Sequence, residues 1–385
     1  MNRIFAQFSA VYGGNLNSVK LYFAPGRVNL IGEHTDYNAG FVLPCAISYG
    51  TYLAVRLAGG GDHKFHSENV AEEATIPAGQ SYVKTSPGWV NYPLGVIEML
   101  QLAGRKVPGL EFYYSGDIPP SAGLSSSASI EMVTAFALND LLDLHMSVMD
   151  LVKLSKKAEN EFVGVGCGIM DQFAVGMGKA DHALFLNCGT LNFNRVPLKL
   201  REYRLIIMNT GKVRGLTDSN YNERVAECNQ AVTDMKPFSG FGSLGEMNTG
   251  DLENFGRHIQ DETVFRRARH VISENRRVLE AVKALWTGDL GKFGILMNQS
   301  HESLRDDYEV TGLELDTMVS TALDQAGTIG ARMTGAGFGG CAIALVKEAL
   351  LEDFIFNVKF KYEHLINLIP AFYVPEIGSG VRRLF

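Results

Sequence analysis

The sequence predicts a two-domain globular protein that contains both strands and helices. The chain has 385 residues, which exceeds the usual size of a single domain. Hydrophobic residues make up 46% and charged residues 20% of the chain, so there is ample apolar material for a core. Near residue 195 a mixture of strand and helix patterns gives way to a strand-like segment and then to long, charged helical segments. We therefore predict one domain over 1–195 and a second over 196–385.

Composition argues against several classes of protein. The formal net charge is −7 and the pI is near 5.8, so no broad positive field is available to bind a nucleic acid. The five cysteines are widely spaced and form no C-x-x-C pair, which favours reduced thiols in the cytosol. The N-terminal segment is a poor secretory signal, and no apolar run has the length of a membrane span. We expect a cytoplasmic protein with neither a nucleic acid nor a membrane as its partner.

The first strand-forming region covers residues 21–57. Short apolar runs alternate there with glycine, proline and asparagine, a pattern typical of strands joined by turns. We predict turns at Pro25–Gly26 and at Asn38–Gly40. Taken singly, the polar residues between these strands are more often structural or solvated than functional, but as a cluster they can converge on the hydroxyls of a ligand. They are Arg27, Glu33, His34, Asp36 and Asn38.

A serine- and glycine-rich segment is the strongest general signal of function. Residues 121–129 read S-A-G-L-S-S-S-A-S, and apolar residues then recur at helical spacing from Ile130 to Leu141. Small residues let backbone N–H groups approach phosphate oxygens, and a helix N-terminus adds positive potential. The segment predicts a phosphate-binding loop, with a capped helix as the simpler alternative. The sequence contains no G-x-x-x-x-G-K-[ST], H-R-D or D-F-G motif, which argues against P-loop enzymes and protein kinases.

Two carboxylates follow this helix. A second helix is predicted over 148–163 and ends at Gly164, and a glycine-punctuated loop leads on to Asp171 in the run G-I-M-D-Q-F-A-V. A carboxylate in such apolar surroundings is partly withdrawn from water and needs a partner. Glu159, twelve residues earlier, is either a surface helix residue or the second member of a pair that divides metal binding from proton handling.

A glycine-rich turn near the C-terminus resembles a nucleotide motif only formally. Residues 335–340 read G-A-G-F-G-G and match G-x-G-x-x-G. The strand-like C-A-I-A-L-V follows them, whereas a dinucleotide site requires a helix at that point. We predict a tight turn shaped for close backbone approach.

Three segments together resemble the GHMP family of small-molecule kinases. In chain order they are A-P-G-R-V-N-L-I-G-E-H-T-D-Y-N-A-G-F-V-L-P, P-P-S-A-G-L-S-S-S-A-S and R-M-T-G-A-G-F-G-G-C. The first narrows the resemblance to the galactokinases, and the stretch G-C-G-I-M-D-Q-F-A-V-G-M-G-K is also similar to them. The likeness extends over nearly the whole chain. It implies an α+β protein with the two-domain GHMP kinase fold and an active site in the inter-domain cleft.

The resemblance also implies the reaction. It implies an enzyme that uses ATP and Mg²⁺ to phosphorylate the anomeric C1 hydroxyl of D-galactose. We expect this enzyme to be a cytoplasmic monomer. The hydroxyl of Ser127 and the carboxylate of Glu159 match the family's Mg²⁺ ligands, and Mg²⁺ prefers one or two protein oxygens together with substrate phosphates. The residues implied to wrap the ATP phosphates are Ser121, Ala122, Gly123, Leu124, Ser125, Ser126 and Ser127.

Asp171 matches the family's catalytic aspartate, and Arg27 matches its partner. Arg27 would hold Asp171 ionised and neutralise charge on the transferred phosphoryl group. Whether Asp171 removes the hydroxyl proton or only orients the hydroxyl stays open at this point. Ser67 matches a nucleotide contact, and Trp89 and Asn91 match the border of the adenine pocket. The positions that match sugar contacts are Glu33, His34, Thr35, Asp36, Gly168 and Tyr221.

Three alternatives compete with this interpretation. A kinase of N-acetylgalactosamine needs more room beside the sugar, whereas the run E-H-T-D-Y-N-A-G-F favours galactokinases proper. A non-catalytic sensor of galactose and ATP would have a shortened serine loop, whereas S-S-S-A-S is intact. A scaffold protein would leave Arg27, Glu159 and Asp171 without a role.

Overall fold

The computed structural model describes residues 2–119, 122–212 and 217–385. Strands and helices alternate along much of the chain, as the sequence predicted. The strands are β1 Lys20–Asn29, β2 Phe41–Val42, β3 Pro44–Leu57, β4 Asp62–Ser67, β5 Ala74–Pro77, β6 Leu110–Gly116, β7 His182–Asn187, β8 Phe193–Pro197, β9 Tyr203–Asn209, β10 Thr328–Thr334, β11 Cys341–Lys347, β12 Ala371–Tyr373 and β13 Arg382–Arg383. The α-helices are α1 Asn2–Tyr12, α2 Asn91–Leu102, α3 Ser126–Leu141, α4 Val148–Lys157, α5 Met170–Met177, α6 Thr217–Ser239, α7 Thr249–Phe255, α8 Glu262–Thr287, α9 Leu290–Asp306, α10 Gly312–Leu323 and α11 Leu351–Ile366.

The largest sheet of the described residues has the strand order β13-β1-β3-β6-β4-β5. Its pairs are antiparallel except for β4 and β6, which run parallel. Because successive side chains point to opposite faces of a strand, Phe112 of β6 packs against the helices α2 to α5 while its neighbour Tyr113 packs under α1. The sheet is therefore covered by helices on both faces.

A second sheet belongs to the C-terminal half of the chain. Its strand order is β10-β11-β9-β12, with every pair antiparallel. Ile206 faces a core built with α6, α8, α10 and α11, whereas its neighbour Ile207 faces a core that also contains Val28 and Leu43 from the first half. The two halves thus share buried apolar surface, and the short sheet β2-β7-β8 lies beside this junction.

The predicted turn at Pro25–Gly26 is wrong. Strand β1 continues through both residues, and its register against β3 shifts between Pro25 and Arg27. A bulge accommodates proline, because proline has no N–H to donate to the hydrogen bonds between strands. A Cβ at Gly26 would lie 2.7 Å from Leu124 O, so the glycine lets the bulged strand approach the serine-rich loop closely.

The other predicted local features are confirmed. Asp36–Asn38 form a 3₁₀ turn closed by Ala39 at φ 58°. The second helix consists of α4 and a π-helical turn over Ala158–Val163, and it ends at Gly164 with φ 83°. The glycine-rich segment 335–340 is a tight turn between β10 and β11 rather than the start of a helix.

The two larger sheets belong mainly to the two halves of the chain, as a two-domain α+β fold predicts, but the division at residue 195 remains our proposal. That position lies inside β8, which pairs with β7. The last residues of the chain return to the first sheet, where Arg382 and Arg383 pair with β1. None of the described helices has both the length and the apolar composition needed to cross a membrane.

Candidate active site

A cavity of about 210 Å³ lies where the two halves of the chain meet. The first half contributes the loop after β1, the loop before α5 and the start of α5. The second half contributes α6 and the glycine-rich turn. The described residues that line the cavity are Arg27, Glu33, His34, Asp36, Tyr37, Glu159, Val165, Gly166, Cys167, Gly168, Met170, Asp171, Tyr221, Gly335 and Ala336.

Arg27 and Asp171 form a bidentate ion pair at one end of this cavity. Arg27 Nε donates to Asp171 Oδ1 at 2.8 Å, and Arg27 Nη2 donates to Asp171 Oδ2 at 2.7 Å. Its remaining nitrogen, Nη1, donates to Gly123 O at 2.8 Å. Arg27 is only 5% exposed, whereas the Asp171 side chain is 28% exposed. A buried cation therefore holds a carboxylate whose outer side remains open to the cavity.

The serine-rich loop packs directly against this pair. Ser125 has φ 62° and starts α3 without a side-chain cap of its own helix. Its hydroxyl instead donates to Asp171 Oδ2 at 2.6 Å. The backbone of β1 also touches the loop, since Arg27 N donates to Leu124 O at 3.1 Å. The first N–H groups of α3 have no partner within the helix, so they are available to an anion beside Asp171.

A second carboxylate lies on the other side of the loop. The Ser127 hydroxyl hydrogen-bonds to Glu159, which is nearly buried. Burial, and then the negative charge of Asp171, raises the pKa of Glu159. Gln172 donates to both Glu159 and Glu131, and it lies at 3.1 Å from Glu131 Oε2. Burial and the charge of Glu159 raise the pKa of Glu131 well above its usual range. The arrangement concentrates negative charge that a cation would offset.

Glu33 connects the loop after β1 to the C-terminal half. Its carboxylate accepts hydrogen bonds from Asn29 Nδ2 and from the backbone N–H of Gly335. Arg332 Nη1 lies 3.8 Å from Glu33 Oε2, and both side chains are buried. Burial nevertheless raises the pKa of Glu33. The glycine at position 335, with φ 86°, allows this backbone approach.

His34 has both ring nitrogens engaged within the protein. Nε2 lies 3.2 Å from Ala336 O, and Nδ1 lies 2.8 Å from the hydroxyl of Tyr37. Because a carbonyl can only accept, Nε2 carries the proton and Nδ1 accepts from Tyr37. Burial lowers the pKa of His34 to about 3, so the ring is neutral. The ring of Tyr221 lies 5.8 Å from that of His34, and the two form one wall of the cavity.

Asp36 packs directly against Gly168. A Cβ at Gly168 would lie 1.7 Å from Asp36 Oδ2, so only glycine leaves room for the carboxylate here. Burial, and then the negative charge of Asp171, raises the pKa of Asp36 to about 6. Asp36 thus presents an acceptor to the cavity that Arg27 also lines.

Not every residue singled out from the sequence lies at the cavity. Thr35 is buried, and its hydroxyl donates to Gly32 O at 2.9 Å and to Phe41 O at 2.7 Å, inside its own loop. The side chain of Asn91 exchanges hydrogen bonds with the backbone of Thr85, and Ser67 Oγ accepts from Asn69 N. The indole of Trp89 donates to Glu72 O. The Thr35 hydroxyl therefore stabilises its own loop. The nucleotide contacts of Ser67, Trp89 and Asn91 remain predictions.

One predicted residue cannot be placed. Ser121, the first residue of the predicted phosphate loop, lies outside the described residues. Ala122 and Leu124 are buried, while Gly123, Ser126 and Ser127 retain exposure. The accessible part of the loop is therefore its glycine and the first turn of α3.

The sequence argument missed several residues that line the cavity. Tyr37, Cys167 and Met170 adjoin residues that the motifs identified, yet nothing in their own type signalled a ligand site. Gly335 and Ala336 belong to the turn that was interpreted only as a close-approach turn. Their place at the cavity follows from packing between segments about 300 residues apart, for example His34 and Ala336.

Comparisons with known proteins agree with this geometry. Residues 6–57 match the galactokinase galactose-binding signature, residues 91–179 the GHMP kinases N terminal domain, and residues 278–364 the GHMP kinases C terminal domain. A galactokinase of Clostridium beijerinckii is 46% identical over 387 residues, which is 100% of this chain and 99% of the relative. A galactokinase of Streptococcus thermophilus is 48% identical over 381 residues, or 98% of each chain.

Solved structures extend the comparison to the fold. The crystal structure of Lactococcus lactis galactokinase complexed with galactose has a TM-score of 0.97 and 45% identity, and the match covers 100% of this chain and 99% of that one. Methanococcus jannaschii mevalonate kinase shares the fold alone, with a TM-score of 0.71 at 19% identity over 95% of this chain and 100% of that one. The full-length match to galactokinases, together with the three matched segments, shows that this chain belongs to the galactokinase family of GHMP kinases.

Proposed function

We propose that this chain is a galactokinase that transfers the γ-phosphoryl group of ATP to the anomeric C1 hydroxyl of D-galactose. The observation that carries the proposal is the position of Asp171. This carboxylate lines the cavity and also accepts a hydrogen bond from Ser125 of the serine-rich loop. One side chain thus adjoins both the proposed sugar site and the proposed phosphate site, as in-line transfer between two substrates requires.

In this proposal Asp171 acts on the sugar hydroxyl. Its two oxygens are fixed by Arg27, so the carboxylate keeps one orientation toward the cavity. Asp171 accepts the hydroxyl hydrogen and orients the oxygen toward the γ-phosphorus, and it takes the proton as the new bond forms. Arg27 holds this carboxylate through two hydrogen bonds and adds positive charge beside the transferred group.

The serine-rich loop is proposed to hold the ATP phosphates. Its exposed glycine and the N-terminus of α3 supply backbone donors, and Leu124 and Ala122 anchor the loop in the core. Backbone donors of this kind bind phosphate without any lysine.

Mg²⁺ is proposed as the metal, with Ser127 and Glu159 as its protein ligands. The donor set fits, because a hydroxyl and a carboxylate already in contact with each other are hard oxygen ligands. The raised pKa of Glu159, caused by its burial and by nearby Asp171, supports this assignment, because a cation beside the carboxylate would offset that negative charge. When bound, Mg²⁺ would neutralise charge on the phosphates of ATP. A cytoplasmic location and a monomeric state complete the proposal, and the free thiols of all five cysteines support the former.

A coupled assay of ADP release tests this function. Purified protein is given Mg-ATP with galactose, N-acetylgalactosamine, glucose or mevalonate, and the product is mapped by phosphorus NMR. We expect turnover with galactose, an anomeric phosphate as product and loss of turnover with EDTA. Turnover with N-acetylgalactosamine alone would reassign the acceptor, and no turnover with any of these acceptors would contradict the proposal.

Substituting Gly168 by alanine should weaken sugar binding selectively. The new methyl group would overlap Asp36 Oδ2, at a distance of 1.7 Å, and push this carboxylate from its place. We expect the Kd for galactose to rise about tenfold or more, which corresponds to about 1.4 kcal/mol, with little change in the KM for ATP. Gly59→Ala is the matched control, because Gly59 is not among the described residues that line the cavity and nothing lies within 4 Å of a Cβ there. Equal affinities in both variants would contradict the proposed role of Asp36.

The pH dependence of kcat/KM for galactose should reflect the protonation state of Asp36. The carboxyl, whose pKa is raised to about 6, is ionised above that pH and accepts hydrogen bonds from sugar hydroxyls. Protonation as the pH falls through this value removes that acceptor. We expect kcat/KM for galactose to decline by up to about tenfold per pH unit below the pKa. In Asp36→Asn, kcat/KM should be lower at pH values above about 6 and should lose this inflection. An unchanged inflection in the variant would assign it to another group.

A further inference from the structure

Three buried side chains of α8 bind the backbone of the loop that carries the sugar-facing residues. We call residues 32–41 the sugar loop. Glu274 Oε1 accepts from Gly32 N at 2.9 Å, and Asn275 Oδ1 accepts from Phe41 N at 2.8 Å. His270 Nε2 lies 3.1 Å from Glu33 O. The helix therefore contacts both ends of the loop and the carbonyl of its first acidic residue.

The α8 side chains are themselves held in place. Glu274 also accepts from Ser300 Oγ at 2.6 Å and from Arg277 Nε at 2.6 Å. Burial opposes its ionisation, but Arg277 and other nearby cations outweigh burial and lower the pKa of Glu274 to about 2. Burial lowers the pKa of His270 to about 4. The neutral ring donates from Nε2 to Glu33 O and accepts at Nδ1 from Ser303 Oγ, 2.9 Å away.

The sugar loop has a conformation that needs such support. Gly32 has φ 98°, His34 φ 60° and Ala39 φ 58°, and the left-handed region is costly for residues other than glycine. From inside the loop, the Thr35 hydroxyl donates to the carbonyls of Gly32 and Phe41. A strained backbone of this kind persists only where surrounding contacts over-determine it.

We infer that His270, Glu274 and Asn275 are positioning residues for sugar recognition. None of the three is among the described residues that line the cavity, so they act through the loop. By holding its backbone, they keep the side chains of Glu33, His34 and Asp36 directed at the cavity. The inference rests on the proposed function, and it means that a helix of the second half completes a sugar site built on the first.

The inference predicts different effects on sugar binding and on nucleotide binding. The hydrogen bonds that these three α8 side chains make to active-site segments go to the sugar loop, and none of those described goes to the serine-rich loop. Loss of an α8 contact should therefore weaken binding of the sugar and leave binding of ATP nearly unchanged. If these residues only stabilised the fold, their loss would instead lower the free energy of unfolding and weaken binding of the sugar and of ATP together.

His270 offers the sharpest test. His270→Leu removes the donor to Glu33 O, whereas His270→Gln places an amide N–H near the former Nε2 position. The galactose Kd is measured by calorimetry without ATP, and KM is measured for each substrate. We expect His270→Leu to raise the galactose Kd about tenfold with less than about a twofold change in the KM for ATP. His270→Gln should recover most of the affinity.

Two further variants complete the experiment. Asn275→Ala removes the acceptor for Phe41 N and should show the same selective loss, which keeps the test decisive if His270→Leu fails to fold. Arg276→Gln is the control on the exposed face of α8, where Arg276 forms a long ion pair with Glu280 at 3.6 Å. It should match the wild type in all three constants.

The possible results separate the two proposals. If the wild-type protein does not bind galactose, the proposed function and the inference both fail. If it binds galactose and the α8 variants keep the wild-type affinity, the inference is overturned while the function stands. A parallel loss for galactose and ATP that His270→Gln does not repair would also overturn it.

Discussion

Replacing Asp171 by alanine should lower kcat for galactose phosphorylation by about 10²- to 10⁴-fold, the usual contribution of a positioned general base. The variant loses a carboxylate that lines the cavity and accepts a hydrogen bond from Ser125 of the serine-rich loop. Binding of galactose should persist, because Glu33, His34 and Asp36 remain in place. The measurements are kcat from ADP release and the galactose Kd from calorimetry.

The fold should survive this substitution. The Asp171 side chain is partly exposed, and Arg27 keeps its hydrogen bond to Gly123 O. Arg27 does lose its charge partner, so we expect a drop in Tm of several degrees without a change in the circular dichroism spectrum. Glu161→Ala, which removes an exposed carboxylate that is not among the described residues lining the cavity, is the control and should retain full activity. Turnover of Asp171→Ala within about tenfold of wild type would exclude Asp171 as the base.

The second large effect is expected from Arg27→Lys. Three guanidinium nitrogens of Arg27 each have their own acceptor, two on Asp171 and one on the backbone of Gly123. An ammonium group is a point charge and cannot satisfy these acceptors in a planar fork. We expect kcat to fall about 10²- to 10³-fold, although the net charge is unchanged.

A matched control distinguishes loss of chemistry from loss of stability. Arg56 also pairs with a carboxylate while nearly buried, through Nε to Glu111 Oε2 at 2.8 Å, but it lies outside the cavity lining. Arg56→Lys should lower the free energy of unfolding by an amount similar to Arg27→Lys and leave kcat unchanged. Equal kcat values in the two variants would show that Arg27 serves only to stabilise the fold.

Much of this protein can be derived from local sequence. The serine-rich loop that starts a helix, the helix that ends at Gly164, and the strand after the glycine-rich turn all follow from residue types within a few positions of each other. The family and its reaction class follow from motifs that are equally short. Such features are predictable because backbone propensity and steric freedom act over one or two turns of chain.

Predictions from local sequence were wrong or incomplete where contacts in the folded chain determine the conformation or the role of a residue. Pro25–Gly26 resembles a turn, yet β1 continues through it as a bulge because β3 pairs on one side and the serine-rich loop packs on the other. Thr35 belongs to the sugar loop by sequence, but its hydroxyl is used within the loop. In the first case packing partners outside the motif override what the residue types suggest, and in the second the loop's own carbonyls engage the hydroxyl.

The sequence alone determined the family, the two-domain fold class and the small set of polar residues from which the site is built. Only the tertiary structure decided how these residues are oriented: Arg27 binds Asp171 in two places, Gly168 makes room for Asp36, and α8 holds the sugar loop from more than 230 residues away. The reason is physical. Residue type and spacing govern short-range conformation, whereas the direction of a buried side chain depends on which distant donors, acceptors and surfaces the folded chain brings against it.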